Sequence, residues 1–213
     1  MIEIDNIIIS LLQEKDVEAI IRLNTDFFAA QEPTNRALGI PLEKYERYAR
    51  HITNKALSEG IILSAKVEET NSLIGFLICE DDCRHLVQGL TGDNEVWKTI
   101  QPEIEMVELL EQPLRLKNYF STGDCLRLMQ GGVFPQWQRK GILSKLILYA
   151  LDISKSKGFK IAIADCTSEI SASALTKLGF EIINSLSYST YESKHGNPFA
   201  ALIGKRYLMK KDL

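Results

Sequence analysis

The stretch V-F-P-Q-W-Q-R-K-G-I-L-S-K-L, Val133 to Leu146, decides the fold. It begins as the end of a strand, passes through a short loop with a basic rim and one glycine, and continues as an amphipathic helix. A strand–loop–helix joint of this composition is an anion site in itself. The first-turn N–H groups of a helix have no intrahelical acceptor, and the macrodipole places partial positive charge there. Phosphate groups bind such termini. Gly141, which has no Cβ, lets a ligand approach the backbone closely. Arg139, Lys140 and Lys145 add charge around the rim, and Gln138 can orient the loop or donate a side-chain hydrogen bond. The same residues also suit an ordinary strand-to-helix joint with surface cations. They do not form a nucleotide P-loop: there is no G-x-x-x-x-G-K-[ST], and no G-x-G-x-x-G opens a helix after a strand.

Upstream, Asp124 to Val133 predicts the strand that feeds the joint. Gly131 and Gly132 near its end predict a bulge or a close backbone approach. Downstream, Ile142, Leu146, Leu148, Tyr149, Leu151 and Ile153 predict a helix over 141–157 that Gly158 ends. A short apolar strand over 160–166, a short helix over 171–177 closed by Gly179, a strand over 180–189, a loop over 193–198 and a last strand over 201–209 complete this half.

In the other half, Ile2 to Leu12 reads as a strand. Val17, Ile20, Ile21, Asn24, Phe27 and Phe28 recur at helical spacing, with Asp16 favouring the helix start. That helix stops near Gln31–Asn35, because the residue before Pro33 is biased out of the helical region. Pro41 opens a second helix carrying Tyr45, Tyr48, Ala49, Ile52 and Leu57, and Gly60 ends it. Strands over 61–67 and 73–79 flank the turn residues Thr70-Asn71-Ser72. An insertion-like segment, about 80–122, follows. Pro102 and Pro113 interrupt it, while Val96, Ile100, Ile104, Val107 and Leu110 suggest a helix or two. The order β-α-α-β-β-(insertion)-β-α-β-α-β-β predicts a mixed α/β fold, one sheet with helices on both faces.

A chain of 213 residues reads most simply as a single domain, 1–213, with a full core. The net charge of −3 argues against a nucleic-acid partner. Cys79, Cys83, Cys125 and Cys166 are too few and scattered for a disulfide framework, and no second close Cys/His pair completes a zinc site. No stretch approaches the roughly 20 apolar residues of a membrane span. The start M-I-E-I-D-N lacks the marks of a secretion signal, so the expectation is a cytoplasmic protein. His51, His85 and His195 are scattered and read as surface residues.

The spacing Gln138-x-x-Gly141-x-Leu143, preceded by Val133-x-Pro135, resembles the acyl-CoA-binding motif of the Gcn5-related N-acetyltransferases (GNAT), except that Leu143 stands where a Gly or Ala is usual. Ala172 to Phe180, A-S-A-L-T-K-L-G-F, is similar to the family's second block. The element order matches as well. F-F-A-A-Q-E-P-T-N at 27–35, L-E-K-Y at 42–45, C-T-S-E-I-S-A at 166–172 and the closing P-F-A-A-L-I-G-K-R-Y-L-M-K-K resemble the insect-type arylalkylamine (dopamine) N-acetyltransferases. The similarity covers most of the chain and thins over 80–122.

The resemblance implies the GNAT fold, with a central, mostly antiparallel twisted sheet. It implies acetyl-CoA as co-substrate, no metal, and a small-molecule primary amine as acceptor, in a monomer or homodimer. Gly132, Val133, Gln138, Arg139, Lys140, Gly141, Ile142, Leu143 and Ser144 become the expected coenzyme-binding residues. Glu32 becomes the expected general base, assisted by the hydroxyls of Thr167 and Ser171; packing under Phe27, Phe28 and Pro33 would suit a carboxyl to that task. The tyrosine that many members use to reprotonate the thiolate is replaced by Leu175, leaving Ser171, Thr167, Tyr188 or solvent. Tyr45 and Tyr48 read first as core and second as the lining of an aromatic-amine pocket. Other acceptors (an amino acid, polyamine, antibiotic or protein amine) and a coenzyme-binding protein without turnover remain open.

Overall fold

A computed structural model describes residues 6–83, 94–117, 120–194 and 196–213. Seven strands form one sheet: β1 (Ile7–Leu11), β2 (Ile61–Val67), β3 (Leu73–Asp81), β4 (Cys125–Val133), β5 (Ile161–Cys166), β6 (Glu181–Ser187) and β7 (Lys205–Asp212). Their spatial order is β1-β2-β3-β4-β5-β7-β6, and every pairing is antiparallel except β4 with β5. Strands β2 and β3 are buried on both faces, which is why they read as near-continuous apolar runs rather than alternating ones.

Helices α1 (Val17–Gln31), α2 (Pro33–Leu38), α3 (Leu42–Glu59), α4 (Asn94–Lys117), α5 (Ile142–Ser156) and α6 (Glu169–Thr176) cover the two faces. On one face α5 and α6 pack Ile142, Leu146, Ala150 and Leu175 against Leu63, Leu77, Leu126 and Ala164. On the other, α1 and α3 bring Ile20, Ile21, Ala49 and Ile52 onto Ile62, Phe76 and Ile78, while Leu110 and Leu114 of α4 meet Ile163 and Leu208.

One irregularity positions the site. The parallel pairing of β4 with β5 runs from Cys125↔Ile161 to Leu128↔Ala164 and stops there. Residues 129–133 of β4 then have only β3 alongside, and the last residues of β5 have only β7. A bulge opposite Ile78/Cys79 sits at the point of separation. Extra local twist at a bulge turns the end of β4 away from its neighbour. The sheet therefore opens between β4 and β5 at the end that leads into the glycine loop.

The element order matches the expectation with two differences. The segment after Gln31 is helical again: Pro33 sits at the first position of α2, where its missing N–H costs nothing, and Gly39 closes α2 at φ 60°. The other is α4, a single helix running through both Pro102 and Pro113 where an interrupted segment was expected. The last strand begins at Lys205, later than the 201 expected, and the short helix begins at Glu169, earlier than 171. Asp16 makes no capping hydrogen bond; its carboxylate instead pairs with Lys66 of β2 at 2.5 Å. Residues 2–5 of the expected first strand, His85 and His195 lie outside the described residues. Among the described residues, no helix is long and apolar enough to cross a membrane.

Candidate active site

The loop after β4 is held by its own residues. The Gln138 amide Nε2 donates to the Val133 carbonyl at 3.0 Å, tying the loop back to the strand end, while Arg139 adopts φ 61° and Gly141 φ 75°. Two left-handed residues one apart turn the chain sharply into α5. No side chain caps α5. Its first-turn amides thus face outward without a side-chain acceptor, and a Cβ at Gly141 would meet nothing within 4 Å. Arg139 is exposed, and the Lys140 ammonium stands 4.6 Å from the Trp137 ring centroid. Open space, unclaimed N–H groups and cations together suit a phosphate ester.

The two glycines of β4 are places of close packing. A Cβ at Gly132 would come within 2.9 Å of Phe76 and 3.1 Å of Phe27, and one at Gly131 within 2.9 Å of Leu143 and 3.1 Å of Leu77. Leu143 thus faces the sheet and not the loop exterior, and Ile142 is fully buried in the same core. Both can offer an anion only their backbone.

On the other face, the junction of α1 and α2 carries Glu32, which is 6% exposed. Its Oε2 accepts the Asn35 N–H at 2.6 Å and the Thr34 hydroxyl at 2.7 Å, so it caps α2. Its Oε1 is buried with no hydrogen-bond partner among the described residues. The Thr34 hydroxyl also lies 3.1 Å from Glu103 Oε1 of α4, and Arg206 of β7 reaches that same oxygen at 3.1 Å. Arg206 Nε lies 2.7 Å and 2.8 Å from the two oxygens of Asp165. Two carboxyls, Glu103 and Asp165, therefore meet one guanidinium in a largely buried cluster, and Glu32 joins it through the Thr34 hydroxyl. Burial, opposed by Arg206 and reinforced by Glu32 and Asp165, raises the pKa of Glu103 above the usual carboxylate range.

Beside this cluster, the Gln130 side chain accepts from Asn24 and donates to the Tyr45 hydroxyl, each at 2.9 Å. Tyr45 and Tyr48 are held neutral chiefly by burial. Tyr188 is buried, and its hydroxyl donates to the Thr167 carbonyl at 2.9 Å, at the open end of β5. Ser168, rather than Ser171, is the N-cap of α6; the Ser171 hydroxyl donates to the Ser168 carbonyl at 2.8 Å. Leu175 is buried in the core under α6.

The sequence reading singled out the loop and Glu32, but not Thr34, Glu103, Asp165 or Arg206. Asp165 gave a usable signal, a lone acid inside the apolar strand I-A-I-A-D-C. Glu103 gave none, because the segment around it could not be assigned. Among the described residues no group of His, Cys, Asp and Glu is arranged to hold a metal ion.

No protein-family model matches the sequence. The fold, however, matches that of solved structures over nearly the whole chain. The C-terminal condensation domain of Ebony, in complex with beta-alanyl-dopamine, superposes with a TM-score of 0.80 at 14% identity, covering 97% of this chain and 99% of that one. Arylalkylamine N-acetyltransferase 2 from Aedes aegypti gives 0.76 at 18% identity over 97% and 99%. The Drosophila melanogaster polyamine N-acetyltransferase that forms N-acetylagmatine gives 0.71 at 16% over 97% and 100%. The fold is the GNAT fold expected from the sequence.

Proposed function

We propose that this chain, built on the GNAT fold, is an N-acetyltransferase that moves the acetyl group of acetyl-CoA onto a primary amine of a small molecule. The observation that carries the reading is the placement of two unlike sites at one opening of the sheet. An uncapped helix start with open space and cations follows the end of β4, and a buried carboxylate oxygen without a partner among the described residues lies at the α1–α2 junction, in the cluster that includes Asp165 at the open end of β5. The amine acceptors named for the similar structures agree with it.

Acetyl-CoA would supply an activated acetyl thioester. The α5 amides of Gly141, Ile142, Leu143 and Ser144, with Arg139 and Lys140, would hold its phosphates. The unpaired edge of β4 offers the Val133 N–H to the pantetheine amides and to the carbonyl oxygen as it gains charge, whereas Gly132, opposite Phe76, turns its N–H toward β3 as Phe134 does toward Ile74. Gln138 would act by fixing the loop. An amine arrives mostly protonated at neutral pH, so a base must take a proton before it can attack. Glu32 Oε1, buried and without a hydrogen-bond partner among the described residues, would take that proton, and the net negative charge of the cluster draws a cation toward it. Tyr188 and the hydroxyls of Thr167 and Ser171 stand at the open end of β5, where a thiolate would need a proton. The Tyr188 hydroxyl donates to the Thr167 carbonyl and the Ser171 hydroxyl to the Ser168 carbonyl, so either would have to release that bond to serve as the donor.

The test is release of free thiol from acetyl-CoA over a panel of arylalkylamines, polyamines and amino acids. Amine-dependent release supports the reading. Coenzyme binding without release from any amine would favour a binding protein that has lost turnover.

A further inference from the structure

The Thr34 hydroxyl has one hydrogen but stands between two carboxyls, 2.7 Å from Glu32 Oε2 and 3.1 Å from Glu103 Oε1. A single hydroxyl can donate to only one of them. Were both carboxyls ionised, the second contact would set lone pair against lone pair. The cluster would also hold three carboxylates, Glu32, Glu103 and Asp165, against the one guanidinium of Arg206. Like charges at such separation do not both ionise readily away from water.

We propose that Glu32 and Glu103 share a single proton through the Thr34 hydroxyl, with Glu103 as its resting place. In this arrangement the Glu103 O–H donates to Thr34 Oγ1 and Thr34 donates to Glu32 Oε2. The shifted arrangement reverses both bonds: Glu32 Oε2–H donates to Thr34 Oγ1, and Thr34 donates to Glu103 Oε1. One proton is conserved between the two, and no other group gains or loses one.

The asymmetry follows from the partners. Glu32 Oε2 already accepts the Asn35 N–H as well as the Thr34 hydroxyl, so its lone pairs are occupied. Glu103 has Arg206, but that guanidinium is held more closely by Asp165, at 2.6 Å against 3.1 Å. Among the described residues, the charged groups around Glu103 come from three other places in the fold. Glu32, from the α1–α2 junction, and Asp165, from β5, oppose its ionisation, and Arg206 of β7 favours it. Tyr45 and Tyr48 of α3 and Tyr188 after β6 are neutral phenols. Glu103 is then a positioning residue: by keeping the proton it leaves Glu32 as the carboxylate that meets an incoming ammonium. This rests on the assignment of Glu32 as the base of an acyl transfer.

The experiment is a pH titration of the full chain carrying 13C-carboxyl glutamate, with the Glu103 signal identified by its loss in Glu103→Gln. Glu103 should titrate above the exposed glutamates, and its midpoint should fall in Glu32→Gln, where the neighbouring negative charge is gone. Thr34→Val should weaken that coupling. A Glu103 midpoint in the range of the exposed glutamates, or one indifferent to both substitutions, would overturn the proposal. A kinetic arm separates relay from scaffold: the pH profile of kcat/KM should lose an inflection in Glu103→Gln. A uniform fall in rate with the inflection in place would also overturn it. If no amine is acetylated at all, the acyltransferase reading fails, while the carboxyl titration still decides whether the proton is shared.

Discussion

Leu143 Cδ1 lies where a side chain at Gly131 would have to stand, 2.9 Å from the position of its Cβ. The leucine of α5 and the glycine of β4 are a fitted pair. The residue that departs from the motif at 143 is accommodated by the missing side chain across from it. Gly131→Ala should cost about 1–3 kcal/mol through overpacking. Leu143→Ala should cost about 2 kcal/mol, the lower end for such truncations because Leu143 is only partly buried. The two changes together should cost less than their sum by at least about 0.5 kcal/mol. Urea unfolding of the four proteins checks this, and simple additivity would mean the two residues do not meet.

Gly141 separates backbone strain from ligand obstruction. Its φ of 75° is one that asparagine tolerates and valine does not. Gly141→Asn should therefore keep most of the stability yet weaken acetyl-CoA binding, because its Cβ enters the open space beside the helix start. Gly141→Val should lose both. Calorimetric titration with acetyl-CoA, alongside melting curves, distinguishes the two effects.

Binding at the α5 start also predicts a ligand dependence of stability. Acetyl-CoA should raise the melting temperature, as any ligand selective for the folded state does. Acetyl-pantetheine, without the nucleotide phosphates, should raise it less at equal concentration. No shift with millimolar acetyl-CoA would remove the coenzyme assignment.

A different cluster, at the far end of β4, should govern acid stability. Asp82 contacts both Arg115 and Arg127, and Glu111 pairs with the same two arginines. Burial opposes ionisation of both acids, yet the hydrogen bonds and charges of Arg115 and Arg127 outweigh it and lower both pKa values. A lowered carboxyl pKa adds stability above the unfolded value of about 4, which is lost as pH falls through the folded one. The chain should lose stability below about pH 4. Asp82→Asn should cost about 3 kcal/mol at neutral pH by leaving arginines partly unpaired, and should flatten the acid limb. Denaturant midpoints measured against pH test this.

What could be read from the sequence depended on how local the signal was. The joint at 133–146 combines a strand end, a glycine and a helix start within one window, so its conformation was legible there. Leu143 was legible as a departure but not as a partner of Gly131, because that contact crosses from one element to another. Glu32 stood out only through the family resemblance of the stretch 27–35. Its neighbours Glu103, Asp165 and Arg206 come from α4, β5 and β7, and sheet topology alone brings them together. Helix α2 was missed because the proline that ends α1 also begins the next helix, and local pattern reads it only as a stop. The two prolines of α4 misled in the same way, since the packing of Met106, Leu110 and Leu114 holds the helix through them.

The most direct test of the central claim is the rate of acetyl transfer by Glu32→Gln on the best amine acceptor. The amide keeps an oxygen for Thr34 and Asn35, but it cannot take a proton. Turnover should fall by about 10² to 10⁴, the usual contribution of a general base, with acetyl-CoA affinity nearly unchanged and partial rescue as rising pH supplies free amine. Near-full turnover by Glu32→Gln at neutral pH would contradict the account and leave Glu32 as no more than the cap of α2.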